Sequence, residues 1–165
     1  METRYAKLEV FLSVLLLMIP LLLININNEI RPSISDYAYA KHSNYFVLLL
    51  SLSGTMFIYN GWVKCKHWYN IILGLSLFGV ALTPHLDYLI LHYCFASVFF
   101  LGSTAVMIIF SSQEQRLLKV LAGSLILLAM LFHFIMNWYS LLWAEWIGLV
   151  PISIHFIGES TGKID

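Results

Sequence analysis

The sequence predicts an all-α, polytopic membrane bundle of six transmembrane helices with both termini cytoplasmic. Composition, the spacing of apolar runs and the placement of cations carry that expectation. Of 165 residues, 60% are hydrophobic and 11% charged, against about 45–50% and about 25% in a soluble domain. A chain of this length with that make-up has an apolar surface as well as an apolar core, and such a surface suits lipid. The formal net charge is +0, which leaves no basic field for nucleic acid.

Six segments meet or approach the about 20 apolar residues that a membrane helix needs. They lie at roughly 8–26, 44–62, 69–84, 88–110, 118–138 and 142–158, and residues 1–165 form one domain. The first follows Arg4 and Lys7, like a secretory leader. The only A-x-A-like triplet, Ala38-Tyr39-Ala40, lies too far beyond the apolar run for ordinary cleavage, so a retained span is expected. The second ends at Trp62, an interface residue. The third is short and closes at Pro84, which cannot continue a helix. The fourth carries His92 near its start. The fifth is expected to carry His133 and Asn137 on one face, four residues apart. The sixth is short and contains Pro151, whose freed carbonyl neighbouring helices can satisfy. Gly54, Gly74, Gly79, Gly102, Gly123 and Gly148 fall inside spans, where small residues allow close helix packing.

Cations set the expected orientation. Arg4, Lys7, Lys64, Lys66, Arg116, Lys119 and Lys163 fall on one side, and only Arg31 and Lys41 on the other. Lys and Arg concentrate in cytoplasmic loops, so the expected location is the cell membrane, multi-pass, with the N- and C-terminus inside. Trp62 and Trp68 mark the inner interface; Trp138, Tyr139, Trp143 and Trp146 mark the outer one. Cys65 and Cys94 are separated by one apolar segment, which places them at opposite faces and argues against a disulfide.

This topology gathers polar side chains at the outer side. "RPSISDYAYAKHS", Arg31 to Ser43, is the one long polar stretch in the first two-thirds of the chain and supplies Asp36. The turn "PHLD" supplies His85 and Asp87. His92 lies five residues further, about 7 Å deeper at 1.5 Å per residue. His133 and Asn137 approach the same side, as does Glu145, which is costly in hydrocarbon without a partner. Asp36, His85, Asp87, His92, His133, Asn137 and Glu145 are therefore the expected pocket residues, and His92, His133 and Glu145 the catalytic candidates. The plainer readings are helix-to-helix hydrogen bonds for the two deep histidines, a solvated turn for His85 and Asp87, and an ion pair of Glu145 with Arg31 or Lys41. Polar residues of the inner half read as sparse, with His155 and Glu159 an exposed terminus and His67 a loop residue.

Three short stretches resemble the DRAM, FRAG and Sfk family of six-span membrane proteins and related prokaryotic six-span proteins of uncharacterised function. They are Pro32-Ser33-Ile34-Ser35-Asp36 after the first span, "LFGVALTP" closing the third, and "LHYCFASVFF" opening the fourth. The resemblance implies a plasma or internal membrane location and, in some members, a link to lipid remodelling or autophagy. It carries over Asp36 and His92 as pocket-forming residues. Two departures are a brief first outer loop and Tyr37, where eukaryotic members show a small polar residue.

Three functions follow as expectations. The first is a pocket that binds or remodels a membrane lipid, in which zinc held by His85, His92, His133 and Glu145, with Asp36 in reach, would activate water. No close-spaced H-x-x-x-H pair supports such a metal, and no G-x-S-x-G element supports a serine hydrolase. The second is a non-catalytic sensor, scaffold or accessory subunit, with a protein partner or a second copy of the chain. The third is a b-type haem protein with His92 and His133 as axial ligands.

Overall fold

The computed structural model describes residues 2–63 and 67–160, with side chains over 6–63 and 67–158. Lys64, Cys65, Lys66 and Lys163 lie outside the described residues, as do the side chains of Arg4 and Glu159. Every regular element among the described residues is helical. The helices are α1 (Glu2–Asn27), α2 (Ser43–Val63), α3 (Tyr69–Leu82), α4 (Leu89–Ala105), α5 (Arg116–Phe134) and α6 (Leu141–Ser160). A 3₁₀ turn, Ser35–Tyr39, lies between α1 and α2, and a π-turn, Val106–Phe110, prolongs α4.

Each helix packs on its neighbour in sequence, and α1 packs on α6, so the six close into a ring. The loop end carries the α1–α2 connection, the α3–α4 turn and the start of α6; the opposite end carries the start of α1 and the α4–α5 turn. Five helices are long and apolar enough to cross a membrane: Ala6–Asn27, Ser43–Val63, Leu89–Phe110, Arg116–Phe134 and Leu141–Gly158. α3 has 14 residues, about 21 Å at 1.5 Å per residue and short of a hydrocarbon core about 30 Å thick.

Helix ends differ from the sequence expectation where a local signal outweighs hydropathy. α5 stops at Phe134 rather than near 138, because Asn137 adopts a left-handed φ of 51°, a conformation that Asn tolerates better than most residues. His133 and Asn137 therefore do not share a helix face, and Asn137 is exposed. α3 stops at Leu82, where the Thr83 hydroxyl donates to the Gly79 carbonyl at 2.6 Å ahead of Pro84.

The helices are apolar almost all round, so position decides what is buried. In α1 the buried stripe is Glu9, Leu12, Leu16, Ile19 and Leu23; in α2 it is Phe46, Leu50, Ser53, Phe57 and Asn60. α3 buries Asn70, Leu73, Leu77 and Ala81, and α6 buries Leu142, Leu149, Ile152 and Phe156. Each stripe follows the three- and four-residue steps of one helix face. The outward faces of α4 and α5 hold Ile90, Leu101, Leu117 and Leu121, each more than half exposed. So continuous an apolar face is uncommon on a monomer in water, and lipid accepts it.

α2 and α3 approach most closely at two glycines. A Cβ on Gly74 would lie 2.5 Å from the Gly54 carbonyl oxygen, and one on Gly54 would lie 2.8 Å from the Gly74 carbonyl oxygen. Backbone meets backbone there, so neither side can yield by a rotamer change. Gly74→Val is expected to separate α2 from α3 and destabilise the bundle by about 1–3 kcal/mol, the usual range for overpacking. At Gly148 a Cβ would meet side chains instead of backbone, the Phe100 ring at 3.1 Å and the Met130 methyl at 3.6 Å, so Gly148→Ala is expected to cost less than Gly74→Val. Thermal unfolding in detergent reads both; a Gly74→Val midpoint equal to the parent's would show that the close approach is not required.

Candidate functional site

The polar stretch between α1 and α2 folds into a compact knot. Ser33 Oγ donates to Asp36 Oδ2 at 2.8 Å and accepts the Asp36 backbone N–H at 3.0 Å. This local side-chain-to-backbone pairing leads into the 3₁₀ turn. Ser35 Oγ lies 2.9 Å from Ser33 Oγ; with the Ser33 proton directed to Asp36, Ser35 is the donor. Tyr37 is fully buried, and its hydroxyl donates to the Glu29 carbonyl at 2.7 Å. Arg31 donates to the Asp36 carbonyl at 3.3 Å and pairs with Glu29 at 2.7 Å.

Two groups of contacts fasten the knot to the bundle. Toward α6, the Ile34 N–H donates to Glu145 Oε2 at 2.6 Å, and the Leu142 N–H donates to the Pro32 carbonyl at 2.6 Å. Glu145 thus takes a backbone amide of the loop instead of pairing with Arg31 or Lys41. Toward the α3–α4 turn, Asp36 Oδ1 lies 3.4 Å from His85 Nε2, and the Leu86 N–H donates to the Tyr39 hydroxyl at 2.8 Å. The Tyr39 hydroxyl lies 3.4 Å from Asp87 Oδ2, and the Tyr39 and His85 rings meet edge to face at 5.4 Å.

Beneath the loop lies a cavity of ≈ 210 Å³ between α4, α5 and α6. A smaller one of ≈ 50 Å³ shares Ser35, His92, Ala96, Phe100 and Glu145 with it and reaches the centre of the ring. Ser35, His92 and Glu145 are the polar part of the wall at the loop. Ala96, Phe100, Met130 and Leu141 are apolar wall, and Tyr93, Ser97, Leu101 and Phe134 form an exposed rim. The cavity therefore opens sideways between α4 and α5.

His92 is 3% exposed, and its Nδ1 lies 2.7 Å from the Thr83 carbonyl. A carbonyl only accepts, so Nδ1 carries the proton, and Nε2 is the nitrogen left to a cavity occupant. The His85 ring lies 5.7 Å from that of His92. Ser35 donates to Ser33, and among the described residues no imidazole hydrogen-bonds it, so Ser35 is not held as an activated nucleophile.

The seven residues expected to form the pocket divide into three groups. His92 and Glu145 share the cavity wall. Asp36, His85 and Asp87 belong to the contacts above it. His133 and Asn137 stand apart. His133 Nδ1 meets the Tyr139 carbonyl at 2.8 Å, closing the α5–α6 turn, and His133 is absent from the cavity wall. Among the described residues no three of His, Cys, Asp and Glu are placed to hold a metal ion, so the ligand set His85, His92, His133 and Glu145 does not assemble. Of the expected haem pair, His92 lines the cavity and His133 does not.

The opposite end corrects the expectation of sparse polarity. Glu9, Asn60 and Asn70 are at most 2% exposed. Asn60 donates to Glu9 Oε1 at 2.6 Å, and Asn70 donates to Asn60 Oδ1 at 2.7 Å. His155 is buried rather than at an exposed terminus, and Lys119 is buried too. The signal for the first three lay in their spacing, since each falls in step with the apolar residues of its own buried stripe.

Burial pushes the Tyr37 phenol above its ordinary value of 10.0, with the Glu29 charge adding and Arg31 opposing. The neutral phenol is the donor, so its contribution is complete below the unfolded value near 10. It is lost as pH rises through the higher folded value. Tyr37→Phe keeps the ring and removes the donor, which should destabilise the loop by about 0.5–1.5 kcal/mol. Amide exchange at Ile34 is the readout. A protection factor at Ile34, corrected for the intrinsic rate, that the substitution leaves unchanged would show that this hydrogen bond does not hold the loop.

No curated protein and no solved structure matches the chain. The model of a family of unknown function, DUF7103, matches residues 16–160, a stretch that takes in the knot, the cavity and five complete helices. The chain belongs to that family.

Proposed function

We propose that this chain is a six-span protein of the cell membrane, both termini cytoplasmic, that binds a membrane lipid at the outer leaflet in the cavity between α4, α5 and α6. The carrying observation is the cavity wall: Ser35, His92 and Glu145 at the loop, apolar side chains below, and an exposed rim on the bundle's side. A lipid entering sideways would set its polar group against the loop and its chain against Ala96, Phe100 and Met130. The polar wall offers acceptors, His92 Nε2 and the Glu145 carboxyl, and no Lys or Arg lines the cavity. A head group that donates hydrogen bonds, a hydroxyl or an amine, therefore fits better than a bare phosphate. The resemblance to a family linked in part to lipid remodelling agrees with this reading. In this topology α3 is the sixth span, lengthened at the interfaces by the residues flanking it.

A second reading, a non-catalytic structural or sensory module, draws on the hydrogen bonds that the loop satisfies within itself and with α6. Ala96→Trp separates the two. The Trp fills the cavity and leaves the loop contacts in place. Lipid co-purifying with the protein, counted by native mass spectrometry, should fall about tenfold, a loss comparable with one good charge-assisted hydrogen bond. Yield and helicity should hold. Unchanged lipid content would defeat the lipid reading in favour of the structural one.

The topology has its own test. In a variant with Cys65 and Cys94 replaced, Lys41→Cys should react with an impermeant thiol reagent applied to intact cells, and Glu114→Cys should not. Both positions are exposed on the protein, so reversed labelling would invert the orientation.

A further inference from the structure

The opposite end of α5 and α6 holds a second cavity, of ≈ 290 Å³. Its walls are Leu118, Leu121 and Leu125 from α5 and Val150, Pro151 and Ile154 from α6, with Lys119 and His155 as its polar members. Leu118, Leu121 and Ile154 are each more than half exposed, so the cavity is a groove on the bundle's side, open to whatever surrounds it.

Lys119 is 2% exposed. Its Nζ donates to the Ser112 carbonyl at 3.1 Å and to Ser112 Oγ at 2.9 Å. An ammonium has three N–H groups, and both of these acceptors are neutral. Among the described residues no carboxylate pairs with Lys119. A buried cation without a counter-charge is costly, and an anion beside it would offset that cost. Arg116, three residues earlier on α5, is exposed and donates to Gln113. Lys119 is three residues into α5, about 4.5 Å at 1.5 Å per residue, which is the depth of a head group rather than of the bilayer centre.

We infer that this groove binds an anionic phospholipid, with its phosphate on Lys119 and an acyl chain laid along Leu121, Leu125 and Ile154. A basic pocket between helices beside an apolar groove matches an anionic lipid in both parts. A free anion would use only the first part. The inference rests on Lys119 and the groove, independently of the cavity under the loop.

The experiment uses the full chain in detergent. Thermal unfolding and native mass spectrometry are run with mixed micelles of phosphatidylglycerol, with phosphatidylcholine, and with inorganic phosphate alone. Phosphatidylglycerol should bind about tenfold more tightly than phosphatidylcholine, the worth of one charge-assisted hydrogen bond. Inorganic phosphate should leave the midpoint unchanged. Lys119→Met should abolish the preference, Lys119→Arg should retain it, and Leu125→Trp should weaken binding by filling the groove with the cation intact. Equal binding of the two lipids to the parent protein would overturn the inference, as would a preference that survives Lys119→Met. Stabilisation by inorganic phosphate alone would reassign the site to a soluble anion and overturn the lipid. If Lys119→Met does not fold, Leu125→Trp decides: full retention of phosphatidylglycerol binding would sink the groove. Ala96→Trp, in the other cavity, should leave the preference unchanged.

Discussion

The structure depends on the constraint that polar side chains of an apolar helix must find partners inside the bundle. Where the surroundings are lipid, exposing leucine costs almost nothing, so hydrophobicity alone cannot choose which face of a helix turns inward. Polar groups can choose, because an unsatisfied one in hydrocarbon is expensive. Glu9 lies in step with Leu12, Leu16 and Leu23, and Asn60 with Phe57, Ser53 and Phe46. Glu145 occupies the step between Leu142 and Leu149 on α6, where it reaches the Ile34 amide. At both ends of the ring a carboxyl group and its hydrogen-bond donors set the rotation of the helices, and the leucines follow.

Glycine supplies the complementary requirement. Without a hydrophobic force between helices, dispersion contacts must be close to hold them. The mutual approach of Gly54 and Gly74 brings the α2 and α3 backbones together. α3, the shortest helix, is thereby bound to a longer partner along its length. α4 and α5 lack such a seam, and the sideways opening of the cavity falls between them.

The loop knot joins what the ring leaves separate. One polar stretch, through Glu145 and Leu142, holds the start of α6; through Asp36 and Tyr39 it holds the α3–α4 turn. His92 is then fixed from below by Thr83 and flanked by His85. The loop thus touches the cavity wall directly at Glu145 and approaches His92 through the His85 ring.

The sequence by itself determined the class of the molecule, the number of apolar segments and the grouping of Asp36, His85, His92 and Glu145 toward one end. Composition, segment length and the reach of a helix per residue suffice for that. It did not determine which of those residues meet, because an axial position carries no rotation when every face is apolar. Tertiary structure placed His92 on the cavity wall and left His133 off it, at the Tyr139 carbonyl of the α5–α6 turn. Tertiary structure also drew Glu9, Asn60 and Asn70 from three helices into one chain of hydrogen bonds. It buried Lys119 in a groove that no local pattern marks. Depth in a membrane is counted along the chain, whereas partnership depends on helix rotation, and that is fixed only when all six helices pack at once.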